Sequence, residues 1–213
     1  MAETIALIDY GAGNLHSVHN ALKAAGAGHV DVTDDPDVVA KADRIVLPGV
    51  GAFGACMDAF SAIDGMIDAL ETSVRKDAVP FLGICVGMQL LADKGVEHGT
   101  TEGLGWIGGE VRAIESDDPT IKIPHMGWNN VQVKGSPPIV EQGEAYFLHG
   151  YHFDVSDEAD ILARTTHGMP MTAVSKTRHF GWRKAARLCR LNWRLLNQSL
   201  SFFARIPASL QFI

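Results

Sequence analysis

The chain has 213 residues and a mass of 22.9 kDa, with 46% apolar and 20% charged residues, a composition that suits one domain with a large core. Its net charge of -7 and pI near 5.7 argue against nucleic-acid binding, because phosphate affinity requires a basic surface. No apolar run is long enough to span a membrane, and residues 1–10 lack the basic start of a secretion signal, so neither feature is expected. Three widely spaced cysteines predict free thiols in a cytoplasmic protein.

Short apolar runs alternate with segments of helical periodicity over the first 150 residues, which is typical of βαβ units. The predicted elements are, in chain order, strand 4–10, a helix capped by Asn14 and ended by Gly26, strands 30–32 and 44–47, helix 56–76, strand 79–84 and helix 86–92. Shorter strands follow at 110–114, 130–133, 145–151 and 171–175. The pattern predicts an α/β fold with a mostly parallel central sheet, flanking helices and added antiparallel strands.

Residues 79–91 carry the most informative pattern. An apolar strand runs directly into Gly83-Ile84-Cys85-Val86-Gly87, and a predicted helix follows without a loop. This is the arrangement of a nucleophile elbow with sulfur in place of oxygen, in which the flanking glycines allow a strained turn. We expect the helix N-terminus to lower the pKa of the Cys85 thiol and the amide of Val86 to bind a developing oxyanion. The alternative is a buried structural cysteine.

Two glycine-containing loops follow predicted strands. Pro48-Gly49-Val50-Gly51 comes after strand 44–47, so it is expected at the same sheet edge, where its amides can approach a substrate carbonyl oxygen; the alternative is a plain turn. Gly11-Ala12-Gly13 looks like the start of a dinucleotide fingerprint. His16 stands where the third glycine belongs, so nucleotide binding is not predicted.

Four motifs together resemble one enzyme family. Residues 8–15 (IDYGAGNL), 48–51 (PGVG), 83–89 (GICVGMQ) and 124–129 (PHMGWN) are similar to the glutamine amidotransferase subunits of imidazole glycerol phosphate synthase, within the class I or triad amidotransferases. Residues 145–151 (AYFLHGY) are similar to the family's YFxHSY segment, with Gly150 where serine is usual. The resemblance covers residues 4–181 and implies the flavodoxin-like α/β fold of class I amidotransferases.

The resemblance also implies a reaction and a partner. A glutaminase subunit of this family uses its cysteine, here Cys85, to attack the side-chain amide of glutamine, form a glutamyl thioester and release ammonia. A partner cyclase subunit with a (β/α)8 barrel uses the ammonia to make imidazole glycerol phosphate and an aminoimidazole ribotide in histidine biosynthesis. No cofactor or metal is implied. The implied oxyanion groups are the backbones of Val50, Gly51 and Val86, and the implied glutamine-binding residues are Gly49, Gln89, His149, Gly150 and Tyr151.

The end of the chain departs from the family pattern. The family's catalytic His and Glu come from a C-terminal FGVQFHPEKS motif, of which residues 173–176 and 180–181 match the lead-in. In register, Ala185 then replaces the His and Arg187 replaces the Glu. Residues 1–175 hold 25 acidic and 10 basic residues, whereas residues 176–213 hold 8 basic and no acidic residues. We therefore predict an amidotransferase domain over 1–181 and a divergent basic tail over 182–213, read in a shifted frame; a genuine basic tail that binds RNA or acidic lipid is the alternative.

The sequence leaves several alternative functions and residue roles open. The chain can be a catalytically dead subunit that still binds the cyclase, because a missing base and carboxylate commonly cost several powers of ten in rate. Another cysteine hydrolase of similar fold is a second rival. His179, His149 and His152 are weak substitutes for the missing base, since packing or binding roles explain them better. The remaining expectations are surface positions for His16 and His19, structural roles for Cys56 and Cys189, and a turn with a packed indole at His125 and Trp128.

Overall fold

The computed structural model describes residues 3–135 and 140–177. Across those two ranges, no helix combines the length and the apolar character that a membrane crossing requires. The strands are β1 (Thr4–Ile8), β2 (His29–Thr33), β3 (Arg44–Leu47), β4 (Phe81–Gly83), β5 (Lys94–Gly95), β6 (Thr101–Glu102), β7 (Gly109–Ala113), β8 (His125–Val133), β9 (Gly143–His149), β10 (Tyr151–Val155), β11 (Ile161–His167) and β12 (Met169–Ser175). The helices are α1 (Leu15–Ala24), α2 (Pro36–Lys41), α3 (Phe53–Ser61), α4 (Met66–Leu70) and α5 (Val86–Gln89), with a π-helical segment at Glu71–Lys76 and a 3₁₀ turn at Glu158–Asp160.

The N-terminal half forms a four-stranded parallel sheet in the order β2-β1-β3-β4. Side chains of β1 alternate between two cores, as both faces of a parallel sheet are covered. Ile5 and Leu7 pack with Val18 and Leu22 of α1 on one face. The other face is covered by α3 and α4; its buried side chains include Ala6, Ile8, Ile45, Leu47, Phe53, Phe60 and Met66. The predicted parallel sheet with flanking helices is confirmed.

The C-terminal half adds two further four-stranded sheets, in the orders β10-β7-β5-β6 and β12-β11-β8-β9. Their pairings are antiparallel except between β5 and β7. A separate apolar cluster lies under the second of these sheets and includes Val131, Phe147, Leu162 and Ala173. The added antiparallel strands are confirmed, although helix α2 and strands β5, β6, β10 and β11 were not predicted.

The long helix predicted over 56–76 was wrong. The chain forms α3, then turns at Gly65, whose φ of 77° is in the left-handed region, and continues as α4 and the π-helical segment. A glycine adopts this conformation at no steric cost, so Gly65 can separate α3, which ends at Ser61, from α4, which begins at Met66. The helix after the elbow is also shorter than predicted, since α5 ends at Gln89.

The turn predicted around His125 and Trp128 was also wrong. Both residues lie on β8, which pairs in antiparallel register with β9. Alternate residues of a strand face opposite sides, so His125 points inward and is buried, whereas the Trp128 indole is 48% exposed. The indole is therefore not packed in a core; it makes an edge contact with the Tyr146 ring at 5.8 Å.

Candidate active site

Cys85 lies at the sharp turn between β4 and α5. Its φ of 55° and ψ of -120° are rare for a residue with a side chain. Both flanking glycines are required by close contacts: a Cβ on Gly83 would lie 2.6 Å from the Gly87 carbonyl oxygen, and one on Gly87 would lie 2.0 Å from the Leu47 carbonyl oxygen. The amide of Ile84 donates to that same Leu47 oxygen at 2.9 Å. The turn is thus a strained strand-to-helix elbow held against β3, as a nucleophile elbow requires.

The loop of residues 48–51 lies directly against the elbow. A Cβ on Gly49 would stand 2.6 Å from the Gly87 amide nitrogen and 2.9 Å from the Val86 Cβ. Gly51 has a φ of 125°, which also favours glycine, and the Val50 side chain is exposed. The loop therefore brings its peptide groups beside the residues that flank Cys85, where backbone amides can meet an oxyanion.

Two side chains hold the carbonyl groups of this loop. The Tyr10 hydroxyl donates to the Pro48 carbonyl oxygen at 2.8 Å, and the Cys56 thiol contacts the Val50 carbonyl oxygen at 3.5 Å. Burial raises the pKa of Tyr10, so its hydroxyl remains a donor. Cys56, which was expected to be structural, is a buried free thiol that fixes one peptide of the loop.

The pKa of the Cys85 thiol is raised to about 11 because the side chain is buried. The Val86 amide opposes this shift by hydrogen bonding to the sulfur, and the nearby Cys56 adds to it. The expectation of a lowered thiol pKa was therefore wrong. Helix α5 has four residues, so its dipole is short, and loss of hydration outweighs it.

Gln89, the last residue of α5, meets the adjoining ends of β9 and β10, which carry His149 and Tyr151. The Gln89 side-chain nitrogen donates to the Tyr151 carbonyl oxygen at 3.2 Å, and His149 Nδ1 donates to the same oxygen at 2.9 Å. Gly150 joins β9 to β10 between them, and among the described residues a Cβ there would meet only the Pro124 ring, at 3.9 Å. Residues separated by 62 positions in sequence thus meet at one carbonyl group.

This geometry can be compared with known proteins. Residues 6–181 match the family model described as glutamine amidotransferase class-I. The chain belongs to the class I glutamine amidotransferase family. It is 55% identical over 175 residues to the imidazole glycerol phosphate synthase subunit HisH of Zymomonas mobilis, covering 81% of this chain and 82% of that protein. It is 49% identical over 176 residues to the subunit of the same name from Cereibacter sphaeroides, covering 79% and 83% of the two chains.

Solved structures support the fold assignment. The structure of PurLQS from Thermotoga maritima superposes with a TM-score of 0.64 at 17% identity, covering 96% of this chain and 100% of the other. A crystal structure of a glutamine amidotransferase gives a TM-score of 0.60 at 16% identity and covers 90% and 98% of the two chains. Similarity at this level of identity concerns the fold alone.

Three residues of this amidotransferase that contact the site were not selected from the sequence. Tyr10 follows β1 and reaches the loop of residues 48–51. Asn129 bonds to His125, which in turn contacts His149. All three lie within the quoted motifs, but only the fold reveals which partners they meet. In the described ranges, no group of three His, Cys, Asp or Glu side chains could hold a metal ion.

Other predicted residues lie away from the site or outside the described residues. His16 is exposed on α1, where its Nε2 contacts Asn20 at 3.0 Å, and His19 is half-buried on the same helix. His152 is buried beside the site on β10. The predictions for His179, Ala185, Arg187, Cys189 and the tail 182–213 concern residues outside the described ranges.

Proposed function

We propose that this chain is the glutaminase subunit of an imidazole glycerol phosphate synthase, which releases ammonia from glutamine for a cyclase partner. The observation that carries the proposal is the strained elbow at Cys85, pressed against the loop of residues 48–51 and joined through Gln89 to Tyr151. The two HisH relatives, each about half identical to this chain, support the choice of this synthase among the amidotransferases. Free thiols at Cys56 and Cys85 fit a reducing cytoplasm, which we propose as its location.

The proposed reaction begins when the Cys85 sulfur attacks the side-chain carbonyl carbon of glutamine. The carbonyl oxygen becomes an oxyanion, for which we propose the amides of Val50, Gly51 and Val86 as donors. Collapse of this intermediate breaks the carbon–nitrogen bond, and the nitrogen leaves as ammonia after accepting a proton. Water then attacks the glutamyl thioester, which releases glutamate and restores the thiol.

We propose that glutamine is held by Gly49, Gln89, His149, Gly150 and Tyr151. Gln89 supports this, because it is mostly buried one helical turn from Cys85 and its side-chain amide is fixed by the Tyr151 carbonyl. A carboxamide offers both a donor and an acceptor, so it suits recognition of another carboxamide. Gly150 leaves room for a substrate next to these groups, since its missing side chain would meet little protein.

The reaction needs a base that takes the proton of Cys85 and returns it to ammonia. Within residues 3–135 and 140–177, no histidine is among the groups that shift the pKa of this thiol. We propose that the base comes from the segment after residue 177. We also propose that residues 182–213 of this chain are translated from a shifted reading frame. The match to the family model ends at residue 181, close to the start of the stretch 176–213, which holds eight basic and no acidic residues. If neither other frame of the coding DNA contains a His-Pro-Glu-like stretch, the tail is genuine.

A cyclase partner with a (β/α)8 barrel requires a binding face, and we propose the outer face of the β8–β9 hairpin. Met126 and Trp128 are 61% and 48% exposed there, and their cross-strand neighbours are Leu148 and Tyr146. A contiguous exposed apolar surface of this kind marks an interaction site. Its inner face carries His149, so a partner bound here lies close to the glutamine site.

Replacing the Trp128 indole tests this interface. We expect Trp128→Ser to weaken cyclase binding at least tenfold in calorimetry, since a central aromatic residue contributes about 2 kcal/mol or more to such an interface. The matched control is Val32→Ser, because Val32 is 46% exposed on β2, an edge strand of the parallel sheet. Equal affinities for the two variants would place the cyclase elsewhere.

The proposed activity is tested by glutamate release from glutamine, with the purified chain, its cyclase and the cyclase substrate. Turnover that disappears in Cys85→Ala supports the proposed reaction, and it makes His179 the first residue to replace in the search for the base. No turnover by a chain that still binds the cyclase in calorimetry, with synthesis restored by ammonium salts, indicates a subunit that has lost its catalytic end. No binding to a cyclase that is active with ammonium would reject the proposed partnership.

A further inference from the structure

The inner face of the β8–β9 hairpin carries a continuous row of polar contacts. His125 faces His149 across the two strands, and His125 Nδ1 lies 3.2 Å from His149 Nε2. The other ring nitrogen of His125 lies 3.2 Å from Asn129 Nδ2, and His149 Nδ1 lies 2.9 Å from the Tyr151 oxygen. His125 is 3% exposed, so solvent does not compete for its nitrogens.

Backbone groups at both ends determine which atoms donate. At one end, the Asn129 side chain accepts from the Asn130 amide at 2.8 Å and donates to the Thr166 carbonyl at 2.8 Å, which fixes its orientation. At the other end, a carbonyl can only accept, so His149 Nδ1 carries a hydrogen. A neutral His149 then accepts at Nε2, His125 donates from Nδ1, and His125 Nε2 accepts from Asn129. Each ring is consequently confined to its Nδ1–H tautomer.

The surroundings keep both rings neutral. Burial is the main cause that lowers the pKa of His125 to about 4, and the neighbouring His167 and His149 add to it. Burial likewise lowers the pKa of His149, with His167 in the same direction and the Tyr151 carbonyl opposing. His125 also stacks between Phe147 and His167, with ring centroids 4.7 and 4.2 Å away. Protonation of His125 Nε2 would remove the acceptor that Asn129 uses.

The row of hydrogen bonds ends at the carbonyl that holds Gln89. The Tyr151 oxygen accepts from both His149 and the Gln89 side-chain nitrogen, so its two lone pairs are used. Because Gln89 Nε2 donates to the Tyr151 oxygen, the opposite end of the held amide is Oε1, which can only accept a hydrogen bond. We propose that Asn129, His125 and His149 are positioning residues that fix the Tyr151 carbonyl and thereby set which end of the Gln89 amide meets glutamine. Only this last step rests on the proposed function.

The tautomers can be observed directly by ¹⁵N NMR of the histidine side chains in the full chain at neutral pH. We expect His125 and His149 to be neutral Nδ1–H forms, whereas an unconstrained imidazole prefers the Nε2–H form. His125→Phe and His149→Gln identify the two signals. An Nε2–H form or a protonated ring at either residue would overturn the proposal, whatever the chain does with glutamine.

Variants at His125 separate positioning from packing. His125→Phe keeps an aromatic ring in the stack but has no ring nitrogen, whereas His125→Gln keeps one donor and one acceptor. His167→Phe is the matched control, because His167 stacks on the same ring but bonds only the Lys122 carbonyl among the contacts described. The readout is covalent labelling of Cys85 by a diazoketone analogue of glutamine, followed by mass spectrometry, which gives the binding and reaction constants separately.

We expect His125→Phe to weaken analogue binding about tenfold, the equivalent of about 1.4 kcal/mol, with little change in the reaction constant. His125→Gln should recover most of the affinity, and His167→Phe should bind like the wild type. Equal affinity of His125→Phe and the wild type would overturn the positioning role. If calorimetry detects no binding of the analogue to the wild type, the proposed glutamine site is rejected, and the tautomers alone decide the hydrogen-bond arrangement.

Discussion

The contact between the elbow and β3 leads to a sharp prediction for Gly87→Ala. The new Cβ would lie 2.0 Å from the Leu47 carbonyl oxygen and 2.8 Å from its carbon. Neither atom can turn aside as the end of a flexible side chain would. Both are backbone atoms of Leu47, which belongs to β3, an interior strand of the parallel sheet. One of the two segments must therefore move by about 1 Å to reach an ordinary contact of about 3 Å.

The expected loss of unfolding free energy in Gly87→Ala is the sum of two energetic costs. Forcing a methyl group into closely packed backbone costs about 1–3 kcal/mol. The movement also strains the 2.9 Å hydrogen bond from the Ile84 amide to the same Leu47 oxygen, and an unsatisfied buried backbone group costs about 1–3 kcal/mol. The sum of about 2–6 kcal/mol corresponds to a fall of about 4–24 °C in Tm for a chain of this size.

The assay is urea unfolding followed by circular dichroism, with Tm measured by calorimetry. Gly143→Ala is the matched control, because a Cβ at Gly143, the first residue of β9, would meet no atom of residues 3–135 or 140–177 within 4 Å. The control should stay within about 1 kcal/mol of the wild type. If Gly87→Ala unfolds with the same free energy as Gly143→Ala, the steric account of the elbow is refuted.

Three further predictions concern single residues. Asn14→Ala should lower the unfolding free energy by about 1 kcal/mol in urea, because it removes the α1 cap that accepts from the Ser17 amide; no change would contradict that capping role. Gly150→Ser should leave that free energy within about 1 kcal/mol, since the new Cβ lies 3.9 Å from Pro124. Alkylation of Cys85 by iodoacetamide, followed by mass spectrometry, should accelerate about tenfold per pH unit between pH 7 and 10, because its raised pKa keeps the thiol protonated there. A plateau near pH 8 would contradict the buried thiol.

The sequence predicts those parts of the fold whose local chemistry has one structural outcome. Asn14 caps α1 as predicted, because a side-chain acceptor before a helical pattern has few other uses. The elbow at Cys85 was predicted because glycines at Gly83 and Gly87 permit contacts that any side chain would block. The helix over 56–76 failed, since apolar periodicity continues past Gly65 although the chain direction changes there.

The site depends on contacts that local pattern does not encode. His125 and Trp128 lie in a segment with glycine and proline nearby, which favours a turn, but pairing with β9 over seven residues overrides that preference. Cys56 has no motif around it, and it meets Val50 because it lies in the first turn of α3, which begins two residues after the loop. The pKa of Cys85 was misjudged for a related reason. Burial depends on the whole fold, whereas a helix N-terminus can be inferred from sequence.

The raised pKa of Cys85 explains why a separate base decides the activity of this site. With a thiol pKa of about 11, the thiolate fraction at pH 7 is about 10⁻⁴, so a base that removes this proton can account for several powers of ten in rate. The contacts that shape the elbow come from residues 10–89: Tyr10, Leu47, Cys56 and Gly87 hold Cys85 and its loop. Positioning of the nucleophile and supply of the base are therefore separable. A chain that carries Ala185 in place of the base should keep a glutamine site whose residual turnover rises with pH, as the free thiol itself ionises.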